Sequence, residues 1–128
     1  MTKILLLPQE IETFYILPSI RRYLTFSMGE LGLKQKDVAH LLGINSATIS
    51  QYRSSKRGNQ VKFNKEVLAQ IKQSAGRIKD RTSYLQETQR ILQYIRQTNA
   101  LCQVHKLFSE VPKECDPKHI GCHHLPMA

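Results

Sequence analysis

The stretch from Gln35 to Ser54, QKDVAHLLGINSATISQYRS, constrains the fold more than any other part of this chain. Val38, Ala39, Leu41 and Leu42 recur at helical spacing and define one apolar face. Gly43 follows directly, and glycine best tolerates a positive φ at a helix end. Ile44 is placed to plug the turn. Asn45 is placed to cap a second helix, because its side-chain oxygen can accept a backbone N–H that has no partner within the helix. Ile49 and Tyr52 are three apart and face back toward the first helix, and Ala39 is small where the two helices cross. The expectation is two short amphipathic helices joined by a tight turn.

The outer side of the second helix then carries Ser46, Ala47, Thr48, Ser50, Gln51 and Arg53. That face is short, polar and rich in hydrogen-bonding groups, as a helix that enters a DNA major groove requires. An ordinary helical hairpin with a polar outside shares the apolar spacing, but Ala39, Gly43, Ile44 and Ile49 together match the helix-turn-helix pattern. Ser46, Ala47 and Gln51 are the candidate base contacts. Gln pairs bidentately with adenine, Ser reaches several base edges, and the Ala methyl touches a thymine methyl. Thr48 and Ser50 are candidates for base or phosphate. Gln35, at the start of the first helix, is placed on a phosphate, helped by the unpaired N–H groups of a helix N-terminus. Arg53, Lys56 and Arg57 are candidate phosphate clamps.

The charge distribution agrees with that reading. Between Ser46 and Arg81 there are nine Lys or Arg and two Asp or Glu, so +7 of the formal +9 falls in this segment. A basic segment that begins inside a recognition helix suits phosphate contact, although a solvated basic helix face has the same composition.

Outside the motif, residues 1–12 are expected as a short strand or an extended arm. Leu17-Pro18-Ser19 reads as the start of a helix that ends at Gly32, with Ile20, Tyr23, Leu24 and Met28 as its stripe. A basic loop, SSKRGNQ, spans residues 54–60. Val67, Leu68, Ile71, Ala75 and Ile78 predict a further helix, and Asp80 to Ser83 offer caps for another. Ile71, Ile78, Leu85 and Leu92 fall at strict seven-residue spacing, which predicts either a dimeric coiled-coil seam running through Gly76 or a helix packed on its own domain. The predicted fold class is all-α: a compact bundle containing the helix-turn-helix, then a long helix or helix pair, then a Cys/His-rich tail. The predicted divisions are 1–62 (arm and DNA-binding region), 63–99 (dimerisation or packing region) and 100–128 (tail).

All three cysteines and four of the five histidines lie between Cys102 and His124. Cys102 and His105 share a helix face if the helix continues there, and Cys115 and Cys122 complete a Cys₃His set of the kind tetrahedral zinc takes, with His119 as an alternative ligand. Iron or an iron–sulfur cluster is the other metal chemistry these donors suit. An incidental Cys/His tail has the same residues.

The segment LPSIRRYLTFSMGELGLKQKDVAHLLGINSATISQYRSSKRG resembles the XRE/Cro-repressor-like helix-turn-helix class. It is most similar to a group of short regulators common in archaea. The resemblance covers Leu17 to Gly58. It implies a bundle of four or five helices, dimeric operator binding, and DNA-contact positions at Gln35, Ser46, Ala47 and Gln51. The same group often carries an LC-x-x-H element suspected of binding metal, which Leu101-Cys102-Gln103-Val104-His105 matches. The expected activity is therefore that of a homodimeric, cytoplasmic transcriptional regulator of double-stranded DNA, most readily a repressor, with a metal- or redox-responsive tail. The alternative is an antitoxin-like protein-interaction module on the same scaffold. No carboxylate pair, phosphate loop or nucleophile–base arrangement suggests an enzyme, and no apolar run approaches a membrane span.

Overall fold

A computed structural model describes residues 4–111, and among them it is helical with no strand. Pro8 starts the first helix, α1 (Pro8–Ile11), where its missing N–H leaves no hydrogen bond unmade. Glu10 reaches back so that Leu7 N–H donates to its Oε1 at 2.9 Å. A π-helical turn (Glu12–Ile16) follows without a break and leads into α2 (Leu17–Glu30). Among the described residues the expected arm is confined to 4–7, and Pro18 lies in the first turn of α2 as expected, although the π turn runs into that helix without a break.

Pro18 explains the π turn. Proline donates no hydrogen bond, and its ring crowds the carbonyl four residues earlier, here that of Phe14. The backbone widens just before it, and Leu17 N–H donates five residues back to Glu12 O.

α2 runs through the core, with Ile20, Leu24 and Met28 fully buried. α3 (Gln35–Leu42) and α4 (Ser46–Arg53) pack beside it, followed by α5 (Lys65–Arg77), α6 (Arg81–Gln97) and α7 (Ala100–Phe108). Asn64 caps α5 by accepting Val67 N–H, and Asp80 caps α6 by accepting Ser83 N–H at 2.7 Å. One apolar cluster extends from Leu6 to Val104.

The seven-residue spacing does not make a continuous seam. α5 ends at Arg77, Ile78 is extended, and Asp80 opens a new helix. Ile71, Ile78 and Leu92 are buried in this chain's own core, whereas Leu85 is 62% exposed. The chain therefore takes the second of the two alternatives, a helix packed on its own domain.

Two ties join the N-terminal segment of the described residues to α6 and α7. Arg96 in the last turn of α6 grips Glu12 of the π turn with both ends of its fork, at 2.7 and 3.1 Å. Glu12 is only 7% exposed and Arg96 is half-buried, so this is a partly buried, bidentate pair across 84 positions of chain. Residues 4–6 lie along the end of α7. Leu6 N–H donates to Ser109 Oγ at 2.7 Å, and Leu6 O lies 2.6 Å from His105 Nε2.

Candidate nucleic-acid interface

α3 and α4 form the expected two-helix unit, and local chemistry accounts for its shape. Gly43 adopts φ +66°, a left-handed conformation that closes α3, and Ile44 N–H returns to Ala39 O at 3.0 Å. Asn45 Oδ1 accepts Thr48 N–H at 2.8 Å and so caps α4. Val38, Ala39, Leu42, Ile49 and Tyr52 are buried, with Leu41 and Ile44 half-buried against them.

Ser46, Ala47, Ser50 and Arg53 are exposed and recur along one side of α4. Gln35 belongs to the same surface, but its amide is committed. Its Nε2 donates to Ser50 Oγ at 2.7 Å and to Ser46 O at 3.0 Å. The remaining Oε1 can only accept, as can a phosphate oxygen. The groups at this corner that could donate to an anion are therefore the backbone N–H groups of the first turn of α3, not the Gln35 side chain. Ser50, by contrast, accepts from Gln35 and keeps its hydroxyl proton for an outside acceptor. Thr48 uses its hydroxyl proton on Asn45 Oδ1 at 2.9 Å, which makes it part of the cap.

Gln51 is half-buried, and its Oε1 is shut off from solvent with no hydrogen-bond partner among the described residues. Reading adenine bidentately needs both ends of the amide, so this side chain must turn outward to do so. Arg53 leans over Gly29, where an added Cβ would lie 3.1 Å from its Nη2.

Lys56 and Arg57 are exposed on the loop after α4. That loop is pressed onto the helical rod at Gly58. Its φ is +72°, and an added Cβ would collide with Pro18 O. Arg22 ties the loop from the other side, with Nη2 donating to Ser55 Oγ at 3.1 Å and the guanidinium 4.8 Å from the Phe26 ring centroid. Arg22 and the Pro18 contact escape a reading by spacing, because they join elements distant in sequence; the one available signal was a proline in the middle of a helix-forming run.

The basic segment does not act as one patch. Arg81 donates to His40 O at 2.9 Å and fastens α6 to the end of α3, and Arg77 lies 3.6 Å from Glu87. His40 itself is exposed on α3.

Of the expected metal ligands, Cys115, His119 and Cys122 lie outside the described residues. Cys102 and His105 are both buried on α7. A carbonyl only accepts, so His105 Nε2 carries the proton it shares with Leu6 O and leaves only Nδ1 as a metal donor. Among the described residues no group of three or more His, Cys, Asp or Glu is disposed to hold a metal ion. Cys102 and His105 are thus two of the four donors expected for a closed zinc site, and the other two lie outside the described residues. No helix among the described residues is long and apolar enough to cross a membrane.

No family model, no curated protein and no solved structure matches this chain.

Proposed function

We propose that this chain is a sequence-specific double-stranded DNA-binding transcriptional regulator that acts as a dimeric repressor. The supporting observation is α4, a capped helix whose inner residues are locked in the core while Ser46, Ala47, Ser50 and Arg53 stand outside, beside the N-terminus of α3. In this reading α4 enters the major groove. Ser46, Ala47 and Gln51 meet base edges, Ser50 and the first turn of α3 meet phosphate, and Arg53, Lys56 and Arg57 neutralise the flanking backbone. Two copies would read half-sites about 34 Å apart.

A second reading, a module whose main partner is another protein, is favoured by exposed apolar side chains where the N-terminal arm meets α7: Ile4, Leu5 and Leu7, with Leu107.

Selection of bound duplexes from a random pool, followed by titration of the winner against a scrambled duplex at several salt concentrations, tests the proposal. A two-fold-related motif bound at least about 10³-fold more tightly than the scrambled duplex is the expected result. Equal, weak binding of both duplexes would sink it in favour of the protein-partner reading.

A further inference from the structure

The π turn and the basic loop enclose a cleft of about 390 Å³, within the range of small-ligand sites. Phe14 and Ser19 contribute from the helical rod, and Lys56, Arg57 and Asn59 from the loop. No acidic side chain lines it. Glu12, the acidic residue of the π turn, is turned inward to Arg96.

Ser19 points to a ligand independently of the charges. It is fully buried, and its Oγ has no hydrogen-bond partner among the described residues. A helical Ser or Thr ordinarily returns its hydroxyl to the carbonyl four residues back, as Thr25 does to Arg21 O at 2.8 Å. For Ser19 that carbonyl belongs to Tyr15, inside the widened turn, and the bond is not made. Ser19 is among the residues that line the cleft, and its hydroxyl is a buried donor just behind that wall. Buried polar groups are nearly always satisfied in a working protein.

The two sides of the cleft differ in chemistry. Lys56 and Arg57 offer charge to an anion, and Arg suits the fork geometry of phosphate. Phe14 is 59% exposed and offers an aromatic face of the kind on which bases stack. The close approach of Gly58 to Pro18 O sets the spacing between the walls, and a ligand reaches the Ser19 hydroxyl by a small shift of the wall that covers it.

We propose that this cleft binds a nucleoside monophosphate, with its phosphate on Lys56 and Arg57, its base on Phe14, and a polar group within reach of Ser19. The bound nucleotide takes the two cations assigned to the DNA backbone and weakens DNA binding by competition. This regulatory step rests on the DNA-binding reading, whereas occupation of the cleft does not.

Fluorescence anisotropy of N-methylanthraniloyl-AMP with the full chain, in the absence of DNA, tests the site. Saturable binding of one nucleotide per chain is expected. Phe14→Ala and Arg57→Ala should each weaken it tenfold or more and Ser19→Ala severalfold, while Lys72→Ala, away from the cleft, leaves it unchanged. Melting temperature and circular dichroism establish that each variant folds. Absence of saturable binding, or binding indifferent to Phe14→Ala, overturns the proposal. Displacement by inorganic phosphate at the same concentration as by AMP also overturns it, since the cleft would then be a bare anion site. A duplex titration with and without AMP separates the two readings. A duplex that binds equally well with saturating AMP overturns the competition alone. A duplex that fails to bind while the nucleotide does overturns the DNA-binding reading and leaves the site standing.

Discussion

Gln35 joins the two helices of the motif through Ser50. Its amide donates to Ser50 Oγ at 2.7 Å and to Ser46 O at 3.0 Å, so the N-terminus of α3 is held against the outer face of α4. The side chain is thereby a brace, and Ser50 becomes an oriented donor.

A double-mutant cycle on Gln35→Ala and Ser50→Ala, measured by urea denaturation, should show a coupling of about 0.5–1 kcal/mol. Independent, additive effects would mean that the brace does not form in solution.

Gln51→Ala should separate stability from recognition. Its buried oxygen has no partner among the described residues, so its removal should leave the melting temperature unchanged or raise it slightly. On a mapped operator the same change should cost about 1–3 kcal/mol and relax preference at one base pair. Arg57→Ala should instead weaken all duplexes alike and reduce the salt slope by about one. Unchanged preference in Gln51→Ala would remove Gln51 from the recognition face.

Arg96→Ala strands Glu12 in a nearly dry site. Breaking one side of a fully buried pair costs about 3–5 kcal/mol; with Arg96 half-buried the loss here should be smaller, about 1–3 kcal/mol, still a large share of a small domain's stability. Chemical denaturation of Arg96→Ala and of Arg96→Ala/Glu12→Gln checks this, and the second change should restore part of the loss. A loss below about 1 kcal/mol would show that the pair is solvated.

Acid should weaken the packing of α5 against α6 through Glu87. Burial opposes its charge, but the hydroxyl of Ser74 and the guanidinium of Arg90 outweigh that and hold its carboxyl below the ordinary range. The unfolded chain therefore takes up this proton first. The stabilisation is complete above the ordinary Glu value of about 4.3 and is lost as pH falls through the lower folded value. Melting temperatures across the acid range should fall more steeply for the parent chain than for Glu87→Gln. Parallel curves would rule out this role for Glu87.

Whatever depends on neighbours within about four residues was legible in the sequence. The turn at Gly43, the caps at Asn45 and Asp80, the stop at Gly32 and the inward pair Ile49 and Tyr52 are all as expected. Each follows from a backbone group satisfied locally or from an apolar period that a single helix presents. The outer face of α4 was legible for the same reason, because side chains not used by the core must point away from it.

Tertiary packing decided the rest. The spacing of Ile71, Ile78, Leu85 and Leu92 survives only as a count, because the chain breaks at Ile78 and turns α6 back on α5, burying three of the four and exposing Leu85. Pro18 marks the first turn of α2, as it does when read alone, yet the core demand on Ile11, Ile16 and Ile20, all fully buried, joins a further helical segment to it by way of a π turn. Gln35 became a brace, and Ser19 an unpaired donor beside a basic loop, only when elements distant in sequence came together. Periodicity determines which face of a helix is apolar. Which surface covers that face, and what that leaves at its edges, is a property of the whole fold.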